Sequence, residues 1–391
     1  MKERRIGVGY FEATDEMRIL TNEVLDSGRI SYGPLCEALE HEFAAIHGKE
    51  FAAVSASGTD SLRVALHAMK IKYRWNDGAE VIVPATTFVA TVNVVTQLGL
   101  KPVFVDIEPE FYCLDPLGLL RAITGETIAI IPVNLLGQSA NMWTILDIAH
   151  EEDLLVLEDS CEAMFVKHMG LPVGSWGDAS AYSFYMAHLI TAGVGGISLT
   201  DDGDLYELMR SLLNHGRKPV YVSIDDDDGL SGDALHRMVV DRFTFLYPGY
   251  SSRMTELQAA IALPQLRNYE AMLARRQAVA SRLTAGLSKH NLRLQLPAER
   301  EKGEHSYMMY GIKMRHGSKW PLVMHLEEYG IETRDILPLV NQSMYSQYAD
   351  SRPLLVARNL IDTGFYIGSH QGMSDDDVDY ICEVVDRFFR Q

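Results

Sequence analysis

A chain of 391 residues, 47% of them hydrophobic, is long enough for one large or two ordinary domains around a sizeable core. Acidic residues outnumber basic ones 53 to 35, a net charge of −18, which argues against nucleic acid as a partner. No run of about 18 apolar residues occurs, and no apolar core follows Met1-Lys2-Glu3-Arg4-Arg5, so neither a membrane span nor a signal peptide is expected and the chain reads as cytoplasmic. Cys36, Cys113, Cys161 and Cys382 lie far apart, as free thiols in such a compartment would.

Residues 1–50 read as an N-terminal arm and helices, with a turn-rich break at 26–34 before a helix over Leu35–His47. Phe51–Val54 is a short buried strand. A loop of small residues, Ser55-Ala56-Ser57-Gly58-Thr59-Asp60, leads into the helical run Ser61–Lys70. Strand, small-residue loop and helix start make an anion site, because the first amides of a helix are unpaired and its N-terminus is positive. The same residues also read as an ordinary helix capped by Thr59 or Asp60. Glu80–Pro84 is the next strand, followed by Ala85–Thr91 and a helix to Leu98; Phe88, on the residues alone, is a core phenylalanine. Val103–Asp106 and Ile128–Val133 are further buried strands, and Asn134–Gln138 leaves the second at its end.

Leu154–Glu162 is a strand whose four apolar residues end in acids. A carboxylate at the carboxyl end of a buried strand faces the ligand crevice of an open α/β sheet. Glu158 and Asp159 are the two strand-end acids, and Glu162 follows, with a plain surface acid as one reading of it. The stretch 181–196 begins as a strand with Tyr182, Phe184 and Tyr185, holds Ser183 and His188, and closes on Gly193, Gly195 and Gly196. A strand Gly196–Thr200, a helix Asp204–Leu213 and the basic cluster Asn214–Lys218 with His215 follow. Residues 220–245 look like an irregular acidic insertion, with Asp225–Asp228 a solvated loop. Gln258–Leu287 reads as one long helical segment, 307–314 as a strand and Ser374–Phe389 as the last helix. There is no internal repeat.

In this order, the small-residue loop, Phe88, Asp159, the Ser183–His188 stretch and Pro248-Gly249-Tyr250-Ser251-Ser252-Arg253 resemble the DegT/DnrJ/EryC1/StrS family of fold-type I sugar aminotransferases over residues 20–389. The resemblance implies an α/β fold: a large cofactor-binding domain, residues 1–264, on a mostly parallel, seven-stranded-type sheet, and a smaller α+β domain, residues 265–391. It implies pyridoxal 5'-phosphate or pyridoxamine 5'-phosphate as cofactor. Gly58, Thr59, Asp60, Ser183 and Ser251 would hold its phosphate, Phe88 would stack on its ring, and Asp159 would keep the ring nitrogen protonated, with Glu162 beside it. His215, Arg334 and His370 would face the sugar. The Pro248–Ala260 segment would reach a neighbouring subunit's site, making a homodimer with shared active sites. Several positions depart from the family: Val194 stands where it often has glutamate, Ser251 where it usually has asparagine, and Glu162 where many of its aminotransferases have glutamine.

The largest departure is His188, which stands where the family has its Schiff-base lysine. No lysine lies between Lys167 and Lys218 to replace it. A histidine there resembles the branch of sugar 3-dehydratases that use pyridoxamine phosphate, in which His188 would act as the base. A nucleotide-linked 4-keto-6-deoxy sugar would be the substrate and L-glutamate the amino donor. The scattered cysteines offer no iron–sulfur ligand set, so the cluster-free kind is expected. Two rivals stay open: a lysine-less homologue that serves as a ligand-binding or regulatory subunit, and pyridoxamine-dependent chemistry on another ketone. A structural histidine is the remaining reading of His188.

Overall fold

A computed structural model describes residues 4–218, 228–337, 339–349 and 353–390. Its first five strands are β1 (Phe51–Ser55), β2 (Glu80–Pro84), β3 (Lys101–Val105), β4 (Thr127–Ile130) and β5 (Leu155–Asp159). A small ribbon, β6 (Lys167–His168) and β7 (Leu171–Pro172), precedes β8 (Ala179–Ser183) and β9 (Gly196–Thr200). All but β6 and β7 form one seven-stranded sheet in the order β1-β9-β8-β5-β4-β2-β3. β9 runs antiparallel to both its neighbours, and the other pairings are parallel. The carboxyl ends of β1, β8 and β5 therefore open on one edge. Apolar runs such as Val81-Ile82-Val83 are wholly buried, as strands covered by helices on both faces must be.

Gly196 lies between Ser55 and Ser183 in the ladder, and a Cβ there would stand 2.6 Å from the Gly58 amide nitrogen. A Cβ on Gly58 would in turn stand 2.5 Å from Cβ of Ser183. The two glycines let the start of helix Gly58–Lys72 press against the end of β8.

A second sheet is antiparallel, in the order β10-β11-β13-β12: β10 (Leu294–Gln295), β11 (Met309–Met314), β12 (Thr333–Asp335) and β13 (Gly364–Gly368). Helices Tyr269–Leu287, Trp320–Glu328 and Asp375–Arg390 go with it, and Leu283, Ile312, Phe365 and Val385 belong to its own core. Ile6, from the start of the chain, joins that core and bridges Ile331, whereas Leu339, Leu354 and Leu360 pack into the core of the large sheet.

Three local expectations change. Within the insertion read as irregular, Gly232–Asp241 is a helix; it buries no side chain, so no core stripe announces it. The four aspartates fall largely outside the described residues, of which Asp228 is exposed. The long segment from Gln258 is two helices, Glu256–Arg267 and Tyr269–Leu287, separated at Asn268, although the apolar pattern runs on through the break. β8 stops at Ser183, so Phe184 is buried while Tyr185 turns out to solvent. Among the described residues no helix is long and apolar enough to cross a membrane.

Candidate active site

The carboxyl edge of the large sheet and the second sheet enclose a cavity of about 590 Å³. Gly58, Thr59, Phe88, Asp159, Glu162, Ser183 and His188 line it from one side; Met308, Arg334, Leu337 and Tyr366 line it from the other.

Ser57 caps helix Gly58–Lys72. Its hydroxyl accepts from the Asp60 amide at 3.1 Å, and its carbonyl accepts from the Ser61 amide at 3.0 Å. The amides of Gly58 and Thr59 precede these two and open the helix on the cavity wall, where an anion gains from both the N–H groups and the helix dipole. The Asp60 carboxylate is turned to Arg63 and accepts from the Ser252 hydroxyl at 3.0 Å, so it braces the loop from outside the cavity. The helix-cap and anion-site readings coexist, because Ser57 does the capping.

β5 ends in two acids that alternation sends to opposite faces. Glu158 is fully buried and accepts from the amides of Gly174, Trp176 and Gly177 at 2.7–3.0 Å and from the Asn134 side chain at 3.2 Å. Asp159 is left facing the cavity, 4% exposed, accepting from Thr91 Oγ1 at 2.7 Å and the Cys161 amide at 3.2 Å. Burial pushes the Asp159 carboxyl up; a cationic group opposite it would draw it back down. Phe88, 56% exposed, presents an apolar ring to the cavity and is not in the core. Glu162 is half-buried and accepts from the Leu136 amide at 2.9 Å. Burial pushes its pKa up to about 7; the Leu136 N–H opposes this and the Asp159 charge adds to it. Leu136 holds φ at 57°, a costly conformation for leucine that aims its amide at Glu162.

His188 opens on the cavity, with Nδ1 3.1 Å from the Ser183 carbonyl. A carbonyl only accepts, so Nδ1 carries the hydrogen and the neutral ring keeps a bare Nε2. Burial pushes the His188 pKa down to about 4; the Ser183 carbonyl opposes this and the Arg276 charge adds to it. No lysine lines the cavity among the described residues.

Of the residues expected on the sugar side, Arg334 lines the cavity from β12, ion-paired with Glu332 and opposite Tyr366 in the ladder. His370 lies outside it, 7% exposed and stacked on Tyr10 at 5.3 Å. His215 and Ser251 are exposed on another face, where Asn214 bridges Ser251 and Arg253 donates to both Asn214 and Ser251. Neither lines this cavity. Val194 does. Sequence reasoning missed Thr91, which holds Asp159, and Ser252, which holds Asp60 where its neighbour Ser251 was expected to act. It did not single out Met308, just before β11, or Tyr366, on the β13 segment whose resemblance placed it near the sugar. Thr91, three residues after Phe88 on the same helix, is the one with a local signal.

The donors suit a phosphorylated aromatic cofactor: helix-start amides and the Ser183 hydroxyl at one end, the Phe88 ring between, and the Asp159 carboxylate opposite. Among the described residues no group of three or more histidine, cysteine or acidic side chains is arranged to hold a metal ion.

The model of the DegT/DnrJ/EryC1/StrS aminotransferase family matches residues 12–386. GDP-perosamine synthase of Caulobacter vibrioides is 33% identical over 388 residues, covering 98% of each chain. GDP-4-keto-6-deoxy-D-mannose 3-dehydratase of Escherichia coli O55:H7 is 30% identical over 378 residues, covering 93% of this chain and 94% of its own. A solved structure of the E. coli GDP-4-keto-6-deoxy-D-mannose 3-dehydratase, with bound hydrated PLP, superposes with a TM-score of 0.89 at 27% identity, over 98% of this chain and all of that one.

Proposed function

The chain belongs to the DegT/DnrJ/EryC1/StrS aminotransferase family, and from that premise we propose that it is a pyridoxamine-phosphate-dependent 3-dehydratase of a nucleotide-linked 4-keto-6-deoxy sugar. One observation carries this reading: a neutral His188 with a bare Nε2 faces the cavity, and no lysine does among the described residues. When bound, the cofactor supplies an amine that condenses with a ketone and a ring that accepts electrons.

The chain's own residues do the rest. Gly58, Thr59 and Ser183 bind the phosphate, Phe88 covers the ring, and the buried Asp159 carboxylate holds the proton on the ring nitrogen. His188 Nε2 takes the proton that must leave before the sugar can lose its C3 hydroxyl. Its depressed pKa keeps it in the accepting form throughout the neutral range. Glu162, poised near 7, stands beside Asp159 as a second exchangeable proton. Arg334, on the cavity wall, serves the substrate side. The His215–Ser251 face serves the partner's site in a homodimer, and glutamate restores the amine.

Transamination is the second reading, favoured by the 33% identity to GDP-perosamine synthase. It requires a group that returns a proton to the sugar carbon, which lysine does and a histidine held by its Nδ1 is less suited to do. Supplying GDP-, CDP-, UDP- and dTDP-4-keto-6-deoxy sugars with glutamate tests the choice. Ammonia release with a 3-deoxy sugar product supports dehydration; a 4-amino sugar without ammonia would replace it with transamination.

A further inference from the structure

The buried positions of helix Tyr269–Leu287 are Arg276, Val279, Ala280, Leu283 and Leu287, three and four residues apart along one face. Four are apolar. The fifth, Arg276, is 1% exposed and is the largest wholly buried side chain among the described residues. One guanidinium nitrogen donates to the carbonyls of Tyr307 at 3.4 Å, Met308 at 3.1 Å and Ser369 at 3.4 Å. Another donates to the carbonyl of His188 at 3.4 Å, and Nε has no partner among the described residues. Burial pushes the pKa of Arg276 down to about 10, and among the described residues no carboxylate offsets that. The side chain is still charged at neutral pH.

A buried cation held only by carbonyls is a poor device for stability, since an apolar residue of similar volume serves a core as well or better. Two of the three segments it joins border the cavity: the loop carrying His188 and the approach to β11 with Met308 on the cavity wall. The third is the turn after β13, where Ser369 precedes His370. The groups around the His188 ring are the Ser183 carbonyl, the Tyr185 ring edge-on at 6.1 Å and Arg276; Asp159, Cys161, Glu162, Arg334 and Tyr366 also line the cavity. Arg276 is the charged group whose field acts on the ring, and it acts on His370 as well.

We infer that Arg276 is a positioning residue for His188: it ties the loop that carries the imidazole to the far wall of the cavity and holds a fixed positive charge behind that loop. This rests on the reading of His188 as the base, but the linkage between the two residues can be tested without turnover.

The ring signals of His188, assigned by their loss in His188→Asn, are followed by NMR against pH in histidine-labelled, cofactor-free protein. In Arg276→Met and Arg276→Gln the His188 midpoint should move part of the way up toward 6.5, because burial holds the rest of the depression. In Arg276→Lys, which keeps the charge, it should stay within a few tenths of a unit of wild type. With cofactor, kcat should fall about tenfold in Arg276→Lys, which loses the planar fork, and further in Arg276→Gln, while KM and cofactor affinity change less than about twofold. If Arg276→Met does not fold, Arg276→Gln and Arg276→Lys carry the comparison. An unmoved midpoint in the neutral variants, or normal turnover per bound cofactor with only a lowered Tm, would overturn the inference. A moved midpoint together with full turnover in His188→Asn would keep the linkage and instead remove His188 as the base.

Discussion

Two faces of the molecule carry the residues that resemble a cofactor site, and they are built differently. At the cavity, the ends of β1, β5 and β8 place the Gly58–Thr59 amides, Asp159 and Ser183 around one volume, each fixed by backbone geometry or a buried partner. On the other face, Arg253 donates to Asn214 and Ser251, and His215, Ser251 and Arg253 stay open to solvent. The first face holds groups suited to a ring and a phosphate. The second has exposed side chains suited to an anion. The contrast is what a site divided between two copies of the chain would leave in each, and it sorts substitutions by size of effect.

The largest loss should come from Asp159→Asn. A neutral side chain leaves the ring nitrogen without its charge partner in a buried position, where breaking such a pair costs about 3–5 kcal/mol. Turnover should fall by roughly two to four orders of magnitude, measured per folded chain at saturating cofactor. Ser183→Ala comes next. Loss of one hydrogen bond to a charged phosphate, worth about 1.5–3 kcal/mol, should weaken cofactor binding roughly ten- to a hundredfold, read by absorbance titration. Ser251→Ala should do least to the cavity, a change of about tenfold or less. Its effect should vanish when the protein is diluted to monomers, whereas the Ser183→Ala effect should persist. Light scattering should report a particle of twice the chain mass, and a fully active monomer would erase the distinction between the two faces.

A smaller effect sharpens the contrast within the cavity. His188 takes up a proton only as the pH falls toward about 4, while Glu162 loses one as the pH rises through about 7. The pH profile of kcat/KM should therefore show a step near 7 that Glu162→Gln removes, and no step near the 6.5 of an ordinary histidine.

What could be read from the sequence was whatever is local. A small-residue loop between strand and helix, an acid at a strand end and a histidine in a glycine-closed stretch are all within a few residues of the backbone feature that gives them meaning. Alternation puts Glu158 and Asp159 on opposite faces; that Asp159 is the one toward the ligand is what the family resemblance implies, and Asp159 lines the cavity. Residues whose role depends on packing were not legible. Asp60 looked like a phosphate ligand but is claimed by Arg63 and Ser252, nearly two hundred residues apart in sequence. His370 looked like a sugar contact but is stacked under Tyr10 from the N-terminal arm. The break at Asn268 left no mark because the apolar spacing continues across it. Arg276 sits in register with Val279, Ala280 and Leu283 on the buried face of its helix, and nothing local marks which carbonyls it meets.

Turnover of His188→Asn, expressed per mole of bound cofactor, tests the central claim most directly. Asparagine keeps a polar side chain beside the Ser183 carbonyl and leaves the amides, Ser183, Phe88 and Asp159 as they are, so cofactor binding should survive within a few fold. Deoxygenation should fall by roughly a hundredfold or more, the usual worth of a positioned general base. Near-normal turnover in that variant would take His188 out of the chemistry, and the 3-dehydratase reading with it.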